Sequence, residues 1–426
     1  MRTPGEGETA SPSSPAAAEQ ALPGPRRRPS VVLGVGGGIA AYKACELLRL
    51  FTESGHDVRV VPTRQALRFV GEPTWAALSG NPVAADVWES VHEVPHVRIG
   101  QGADLVVVAP ATADLLARAA HGLADDLLTN TLLTARCPVV LAPAMHTEMW
   151  EHPATRANVA TLRERGTLVV EPAVGRLTGA DTGRGRLPDP AEIFEFCRGV
   201  LAGRPADLEG RRLVISAGGT REAIDPVRFL GNRSSGLQGY ALARTALARG
   251  ARVTLVAANV SLPDPAGATV VRVESARELR EAVLKAAEEA DAVVMAAAVA
   301  DFRPAQRSGS KVKKTSADPD PIYLVKNPDI LAELGERRRQ GEKPGPRVIV
   351  GFAAETDDVL ANGRAKLARK GCDLLVVNQV GENLAFGTPD NAAVVLAADG
   401  GQVEIPRGPK EALADVVWDL VAERLA

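Results

Sequence analysis

An α/β fold with two three-layer, doubly wound domains is predicted by three features of this sequence. From Ser30 onward, short runs rich in β-branched residues alternate with longer helical patterns. Several of the short runs are almost entirely apolar, as at 105–108, which is typical of parallel strands that helices cover on both faces. The chain has 426 residues and a polar turn cluster at 203–210, after which the alternation restarts, so we expect two domains.

The first domain is expected to contain five strands separated by helices. The strands are predicted at 31–35, 57–63, 105–109, 138–142 and 168–171. Helices between them are predicted at 39–53, 125–135 and 153–165. This order of elements favours a parallel sheet with helices in the layers above and below it.

The second domain is predicted to repeat this architecture without an obvious sequence repeat. Its strands are expected at 213–216, 253–257, 293–297, 348–352 and 374–378, with a helix at 237–249. The segments 392–396 and 402–405 flank Asp399-Gly400-Gly401 and predict a β-hairpin, because Asp-Gly pairs favour tight turns between antiparallel strands. A helix at 409–425 is expected to end the chain.

The composition argues against nucleic acid and membrane partners. Lys and Arg number 50 and Asp and Glu number 52, which gives a formal net charge of −2, so the chain as a whole does not attract polyanions. Aromatic residues make up 4% of the chain, which is low for a protein that stacks on single-stranded nucleic acid. The longest clean apolar run, at 292–300, is too short to span a bilayer.

The cysteines and the N-terminal segment indicate a soluble, cytoplasmic protein. Cys45, Cys137, Cys197 and Cys372 are far apart and show no metal-ligand spacing, which fits a reducing compartment. Residues 1–29 lack the apolar core of a secretory signal. They are rich in Pro, Ala, Ser and Gly, and we predict that they form a disordered tail.

A glycine-rich turn follows the first predicted strand. Glycines from Gly34 to Gly38 let backbone amides approach a phosphate at the start of the next helix. Ile39 stands where a dinucleotide fingerprint has its third glycine, and the strand at 57–63 ends without an acidic residue for a ribose. A mononucleotide or flavin phosphate therefore fits better than NAD, and a purely structural turn is the alternative.

The second domain has glycine turns of a different kind. Gly218-Gly219-Thr220 follows its first strand, but the Lys-containing phosphate loop of nucleotide hydrolases is absent from the sequence. A long segment at 301–327 is rich in Pro, Ser, Gly and Lys, and its length and composition predict disorder or a mobile lid. Its lysines Lys311, Lys313 and Lys314 could grip a triphosphate, or form only a solvated charge run.

Short motifs in both halves of the chain resemble those of one enzyme family. The first half contains GVGGGIAAYK at 34–43, PATAD at 110–114 and PAMHTEMW at 143–150, and the second contains GGTRE at 218–222 and IDPVRFLGNRSSG at 224–236. In this order and spacing they resemble the bifunctional phosphopantothenoylcysteine decarboxylase/phosphopantothenate–cysteine ligase family of coenzyme A biosynthesis. The resemblance covers about residues 31–425.

The resemblance implies a domain plan and an assembly. Residues 1–29 would be the tail, residues 30–206 a flavodoxin-like flavoprotein domain with FMN-dependent decarboxylase activity, and residues 207–426 a Rossmann-like, CTP-dependent ligase domain. It also implies a homo-oligomer in which decarboxylase trimers and ligase dimers build a dodecamer.

In the first domain the resemblance implies a flavin site and a catalytic histidine. His96, within VPHVRI at 94–99, matches the catalytic residue, and His146 and Asp181 match positions that bind substrate. An imidazole titrates near neutral pH and can transfer a proton beside a flavin. The residues implied to contact FMN are Gly36, Gly37, Gly38, Thr63, Thr112 and Ala113.

Three positions depart from the family pattern. Gly36 stands where the family usually has a serine, and His146 replaces an asparagine that binds substrate. Gly179 stands where a flap at 177–186 normally supplies a cysteine as proton donor. Asp181, Thr178, His146 or a water molecule is expected to donate the proton in place of the cysteine.

In the second domain the resemblance implies a CTP site. Asn232 would hold the acyl carboxylate as it becomes an acyl-cytidylate, Lys311 would neutralise charge at the α-phosphate, and Asp301 would bind Mg²⁺. Read without the resemblance, Asn232 is a helix cap and the lysines form a solvated face. The residues implied to bind CTP are Met295, Ala296, Ala297, Asp301, Lys311, Pro328, Asp329, Ile330, Leu331, Phe352, Lys366 and Lys370.

The function that the resemblance implies is the synthesis of 4′-phosphopantetheine in two steps. The ligase would join 4′-phosphopantothenate to L-cysteine with CTP and Mg²⁺, and the FMN domain would decarboxylate the product. One alternative is an oxidative decarboxylase that releases an enethiol, because Gly179 replaces the flap cysteine. A second is a flavin- or nucleotide-binding regulator without turnover, and an NAD-dependent dehydrogenase is a distant third.

Overall fold

The computed structural model describes residues 27–83, 95–177, 181–203, 206–312, 321–341, 345–355, 359–379 and 390–426. The predicted tail therefore lies outside the described residues, except for its last three positions. Among these, the Arg27 guanidinium donates to both carboxylate oxygens of Asp104 at 2.7 and 2.9 Å. No helix in the described ranges is long and apolar enough to cross a membrane.

The first sheet contains five parallel strands in the order β2-β1-β3-β4-β5. This is the flavodoxin-like order of a doubly wound sheet, so the predicted fold class is confirmed for the first domain. Its strands, and a following antiparallel hairpin of β6 and β7, are β1 (Ser30–Val35), β2 (Asp57–Pro62), β3 (Leu105–Ala111), β4 (Val139–Pro143), β5 (Leu168–Val169), β6 (Ala173–Arg176) and β7 (Thr182–Arg186).

Helices cover both faces of this sheet. A 3₁₀ turn at Ile39–Lys43 precedes the first of them, where the sequence predicted one continuous helix. The helices are α1 (Ala44–Glu53), α2 (Glu72–Ser79), α3 (Pro95–Gly102), α4 (Ala113–His121), α5 (Leu127–Thr134), α6 (Thr147–Glu151), α7 (Pro153–Glu164) and α8 (Pro190–Leu201). One core lies between the sheet and α1, α2 and α8, and a second core lies between the sheet and α4, α5 and α7.

The second sheet contains eight strands in the order β12-β11-β8-β13-β16-β17-β18-β19. The strands from β12 to β17 are parallel, and β18 and β19 add an antiparallel hairpin at one edge, as predicted. The main strands are β8 (Arg212–Gly218), β11 (Arg252–Ala258), β12 (Thr269–Val273), β13 (Ala292–Met295), β16 (Val348–Glu355), β17 (Leu374–Gln379), β18 (Asp390–Ala397) and β19 (Gln402–Pro409). The six parallel strands follow the Rossmann order, which confirms the fold predicted for this domain.

The helices of the second domain also lie on both faces, and two small ribbons project from the sheet. The helices are α9 (Leu237–Ala248), α10 (Ala276–Ala287), α11 (Ile330–Gln340), α12 (Val359–Lys370) and α13 (Lys410–Leu425). Gly239 lets α9 pack closely on β8, since a Cβ there would lie 2.5 Å from the Cβ of Ala217. The ribbons pair β9 (Arg221–Ala223) with β10 (Phe229–Gly231), and β14 (Phe302–Pro304) with β15 (Leu324–Lys326).

The segment at 301–327 differs from its sequence-based prediction at both ends. The sequence predicted disorder or a mobile lid, but β14 and β15 form an antiparallel ribbon there. Ala305 donates its N–H to Tyr323 O at 2.8 Å, which extends this pairing by one bond. Cross-strand pairing of Phe302 and Lys326 therefore overrides the loop-forming composition of the residues between them. The middle of the segment, with Lys313 and Lys314, lies outside the described residues.

The two sheets are joined where α8 of the first domain packs against α9 of the second. The Arg198 guanidinium of α8 crosses this junction and donates to the Asp415 carboxylate of α13 at 3.4 Å. A cleft of about 1160 Å³ opens beside this junction, where β5 ends and where β8 and β11 begin. Glu192 of α8 lines the cleft together with Arg244 of α9.

Glu192 is expected to make this junction sensitive to pH. Burial raises the pKa of its carboxyl from 4.5 to about 7, and Asp189 acts in the same direction. The Arg244 guanidinium and the Ala266 amide favour the ionised form but do not outweigh burial. Because the folded chain holds this proton more tightly than the unfolded chain, stability should fall as pH rises from about 4.5 to about 7, by up to about 3 kcal/mol.

The Glu192→Gln variant, which stays neutral, should lack that fall in stability. Differential scanning calorimetry between pH 5 and 8 should show a smaller loss of melting temperature for this variant than for the unmodified chain. Glu53→Gln is the matched control, because the Glu53 side chain is 66% exposed at the end of α1. Equal pH dependence of Glu192→Gln and the unmodified chain would contradict the burial of a proton at this position.

Candidate functional site

The glycine turn after β1 lies at the carboxyl edge of the first sheet, beside the turn after β3. The chain passes to opposite faces after these two neighbouring strands, and ligands of open α/β sheets bind in the crevice at such a point. The Gly36 N–H donates to Pro110 O at 3.0 Å and ties the two turns together. A Cβ on Gly36 would lie 2.4 Å from the same oxygen, so the turn closes more tightly than a serine would allow.

This turn has a donor suited to an anion. Within the described ranges, the N–H of Gly37 donates to no protein acceptor, and Gly38 precedes the 3₁₀ turn without a side-chain cap. Free N–H groups at the start of a helix favour a phosphate group. The residues present therefore fit the phosphate end of a flavin mononucleotide.

Two threonines border the same crevice. Thr63 follows β2 and is buried, and its hydroxyl accepts from the Ala66 N–H at 3.2 Å. Thr112 precedes α4, whose first residue is Ala113, and its hydroxyl accepts from the Leu115 N–H at 3.3 Å. The structure thus brings together the glycine turn, Thr63, Thr112 and Ala113 at one edge of the sheet.

His96 lies near the start of α3, on the opposite side of the sheet from α1. Its carbonyl oxygen accepts from the Thr134 hydroxyl at 2.8 Å, which ties the start of α3 to α5. Its Nδ1 atom is buried and has no hydrogen-bond partner among the described residues. A buried imidazole nitrogen without a partner needs an explanation, and a bound substrate is one.

The predicted flap is the hairpin of β6 and β7, and it lies against the segment that contains His146. The Met145 N–H donates to Gly185 O at 2.9 Å, and a Cβ on Gly185 would lie 2.3 Å from Met145 O. His146 precedes α6 without capping it, so its imidazole is not needed by the helix. Asp181 is exposed and its carbonyl accepts from the Leu177 N–H at 2.8 Å. Thr178 and Gly179 lie outside the described residues.

The second site lies at the carboxyl edge of the second sheet, between β8 and β13. These neighbours are again the point at which the strand order reverses. The Ala298 N–H donates to Gly218 O at 2.8 Å, and the Thr220 N–H donates to Ala298 O at 3.2 Å. Gly218 has a φ of +86°, and a Cβ there would lie 2.0 Å from Ala258 O, so glycine is required.

Asn232 and Asp301 lie beside this junction. The Asn232 amide donates to Val299 O at 3.1 Å, so the side chain does not cap α9, and the simple reading as a helix cap is wrong. Asp301 is exposed, and its carbonyl oxygen accepts from the Asn327 N–H at 2.8 Å. The Asn327 side chain also donates to Ala300 O at 2.8 Å and fixes the start of the 301–327 segment.

The other residues implied to bind CTP divide between the two faces of the sheet. Ala296 and Phe352 pack toward α9 and α13. Four residues pack toward α10, α11 and α12, namely Met295, Ala297, Ile330 and Leu331. Pro328 and Asp329 precede α11, and the Asp329 carboxylate accepts from the Ala332 N–H at 3.1 Å. All of these residues lie at the carboxyl edge.

The two lysines of α12 differ in their surroundings. Lys370 is half-buried and forms an ion pair with Asp329 at the start of α11. Lys366 lies one turn earlier on the same helix and is also half-buried. Lys311 is exposed in the segment after β14. The ion pair thus brings together Lys370 and Asp329, two of the residues implied to bind CTP.

The sequence reasoning missed two residues at this edge. Asn378 ends the apolar stretch of β17 opposite Ala354, on the face that Phe352 occupies, and its buried Oδ1 has no partner among the described residues. An asparagine at the end of an apolar strand was the available signal. Asp225 is the other, because its buried carboxylate accepts several hydrogen bonds.

The described residues offer few side chains that could bind a metal ion. The described parts of the chain hold no group of three or more His, Cys, Asp or Glu side chains that could bind one. Magnesium ions commonly bind through one or two carboxylates together with substrate phosphates. The exposed Asp301 is compatible with that kind of binding only.

Comparisons with known proteins match both halves of the chain. The family model "DNA/pantothenate metabolism flavoprotein C-terminal domain" matches residues 208–425, and the model "Flavoprotein" matches residues 19–202. A coenzyme A biosynthesis bifunctional protein CoaBC of Mycolicibacterium smegmatis is 59% identical over 93% of this chain and 97% of its own length. The protein of the same name from Bacillus subtilis is 42% identical over 92% and 96%.

Two solved structures are similar to parts of the chain. The C-terminal domain of a coenzyme A biosynthesis bifunctional protein CoaBC is 35% identical, covers 52% of this chain and 98% of its own, and has a TM-score of 0.44. A PPC decarboxylase mutant complexed with pantothenoylaminoethenethiol is 32% identical, covers 40% and 97%, and has a TM-score of 0.38.

Proposed function

We propose that this chain, which belongs to the family of bifunctional coenzyme A biosynthesis proteins, makes 4′-phosphopantetheine through a ligase step and a decarboxylase step. The observation that supports the proposal best is the convergence of each motif set at the strand-order reversal of its own sheet. Gly36 and Pro110 meet in the first sheet, and Gly218 and Ala298 meet in the second. Two separate sites of this kind suit two consecutive reactions.

The ligase site would activate the carboxylate of 4′-phosphopantothenate. That carboxylate attacks the α-phosphorus of CTP, and pyrophosphate leaves with the electrons of the broken P–O bond. Lys311 would stabilise the charge that develops at the α-phosphate, and Asn232 would orient the acyl group. Mg²⁺, held by the phosphates and Asp301, would neutralise the leaving group. The amine of L-cysteine then attacks the acyl carbon and releases CMP.

The base of the nucleotide would bind near β16 and β17. Phe352 offers an apolar surface, and the Asn378 carboxamide offers an unpaired acceptor on the same face. Such an acceptor suits an amino group on the base. Lys366 and Lys370 are close enough along α12 to assist at the phosphates.

The decarboxylase site would hold the phosphopantothenoylcysteine beside FMN. When bound, FMN supplies a two-electron oxidation of the substrate and its later reversal, between which carbon dioxide is lost. The glycine turn and the two threonines would hold its phosphate, and the His96 imidazole would act as an acid or base on the reacting part of the substrate. His146 would bind the substrate carboxylate through a ring N–H.

The final protonation distinguishes the proposal from its nearest alternative. The proposed route needs a proton donor under the flap, and His146 or Asp181 stands on the two segments that contact each other there. If neither delivers the proton, the product is an enethiol, as in an oxidative decarboxylase. The saturated product is favoured, because the ligase domain on the same chain serves a pathway that needs it.

We also propose that the chain acts as a homo-oligomer. The two ribbons of the second domain and the residues next to them expose several large apolar side chains, among them Val227, Phe229, Phe302, Ile322, Tyr323, Leu324 and Val325. Exposed apolar patches of this kind commonly mark protein interfaces. A second copy of the ligase domain would cover them and form a dimer. Together with trimers of the decarboxylase domain, such dimers would build the dodecamer that the family resemblance implies.

One reaction tests the proposed function. In the presence of Mg²⁺, purified full-length protein should convert CTP, L-cysteine and 4′-phosphopantothenate to CMP and 4′-phosphopantetheine. Mass spectrometry of the reaction mixture would detect both products. A final product two hydrogens lighter would instead support the enethiol alternative. If nucleotide binds but no CMP forms, the chain is a binding protein and the proposal is wrong.

A further inference from the structure

Asp225 occupies a turn after β9 and is the acceptor of a dense set of hydrogen bonds. Its side chain is fully buried. One carboxylate oxygen accepts from the N–H groups of Val227 and Arg228, both at 2.8 Å. The other accepts from Nε and Nη2 of the Arg228 guanidinium at 2.9 and 2.6 Å. Such bonds between charged groups are short and strong, so the turn is rigid.

The same turn binds the segment that carries Lys311. The Val312 N–H donates to the Asp225 carboxylate at 3.2 Å, and the Arg228 guanidinium donates to Val312 O at 2.8 Å. The Ser308 N–H donates to Ile224 O at 2.9 Å. Val312 is 50% exposed, so apolar burial does not explain why it lies here. The residue next to Lys311 is therefore fixed at both its N–H and its C=O group.

We infer that Asp225 is a positioning residue for the ligase step, which holds the backbone of Val312 and thereby places Lys311 at the nucleotide. The inference rests on the proposed function, in which Lys311 acts at the α-phosphate. Arg228 shares this role through its bond to Val312 O.

Physical considerations favour positioning over simple stabilisation. Lys311 is exposed within the long 301–327 segment, and an unrestrained lysine loses much conformational freedom when it must meet one phosphate oxygen. The two bonds to Val312 restrict that freedom before the nucleotide arrives. Burial alone would raise the pKa of Asp225, but the Arg228 guanidinium and the three backbone amides hold it well below its usual range. The Asp225 carboxylate therefore stays ionised at any pH used for the assay.

The Asp225→Asn variant tests the inference. An amide keeps the size of the side chain but has only one acceptor oxygen, so an NH₂ group would face donors of Arg228 or Val312. We expect the kcat for CMP release to fall roughly 10- to 100-fold, with the KM for CTP changed far less. A second variant, Val312→Pro, removes the N–H from the other side of the same bond and should reduce kcat similarly.

A double-mutant cycle separates positioning from damage to the fold. In a Lys311→Gln background, Asp225→Asn should change the remaining rate by no more than about a factor of two, because the lysine it positions is gone. Equal losses in both backgrounds would overturn the inference. So would a wild-type kcat for Asp225→Asn or for Val312→Pro.

Controls within the same chain keep these outcomes distinct. Asp264→Asn is the matched control, because Asp264 forms one exposed ion pair with Arg272, and it should keep the full ligase rate. Decarboxylation of added phosphopantothenoylcysteine by the Asp225→Asn chain should be unchanged, which reports that the first domain is intact. If the unmodified protein releases no CMP, the proposed function fails, whereas an active unmodified protein with an equally active Asp225→Asn variant refutes only the positioning role.

Discussion

The Lys311→Gln variant should release CMP about 100- to 1,000-fold more slowly than the unmodified protein at saturating substrates. Glutamine keeps a hydrogen-bond donor at this position but removes the positive charge. In the proposed step, charge grows on the α-phosphate oxygens as the carboxylate attacks, so the loss should affect kcat more than binding. The measurement is CMP release by chromatography in the presence of L-cysteine.

The control for this experiment is Lys285→Gln. Lys285 is an exposed cation in the last turn of α10, just before β13 begins, and so lies at the opposite edge of the sheet from the site. It should keep the rate of the unmodified protein. A Lys311→Gln rate within about threefold of the unmodified rate would contradict the role of Lys311, because such a change is below that expected for a transition-state contact.

The His96→Asn variant should decarboxylate phosphopantothenoylcysteine about 100- to 10,000-fold more slowly. Asparagine can still donate a hydrogen bond, but it cannot exchange a proton near neutral pH. The ligase domain should continue to work, so phosphopantothenoylcysteine should accumulate while CMP is released normally. Mass spectrometry of the reaction mixture would show both effects together.

His121→Asn is the matched control for His96, because His121 is exposed in the last turn of α4. The flavin spectrum of the His96→Asn protein should be that of the unmodified protein, since none of the residues proposed to hold the flavin phosphate is changed. Loss of flavin would indicate a binding role for His96, and full decarboxylase activity would exclude any catalytic role.

The fold could be predicted well because its signals are local. The apolar run that became β3 is short, is rich in valine and lies between polar turns, and its burial on both faces follows directly. The turn at Gly36 could also be located, because a cluster of glycines between a predicted strand and a predicted helix indicates a tight turn at that place. What the sequence hid is the tight contact between Gly36 and Pro110, which depends on the packing of two strands that are distant along the chain.

The candidate site could be predicted only in part, because some of its parts depend on contacts across long stretches of chain. Asp225 is 87 residues from Val312, and no local pattern predicts a bond between a carboxylate and such a distant amide. The ribbon of β14 and β15 was missed for the same reason, since its pairing overrides a composition rich in Pro, Ser and Gly. The residue types at Asn232 and His96 were informative only through the family resemblance.

The cleft beside α8 and α9 bears on how the intermediate travels between reactions. Its walls are formed where β8 and β11 begin, whereas the proposed ligase chemistry takes place where those strands end. The thickness of the ligase domain therefore lies between the place where phosphopantothenoylcysteine would form and the cleft beside α8 and α9. An internal tunnel through the junction would have to cross the packed interior of that domain. Diffusion through bulk water is thus the route that this geometry leaves to the proposed intermediate, phosphopantothenoylcysteine. Dilution of the protein should therefore slow the overall conversion more than it slows either half-reaction.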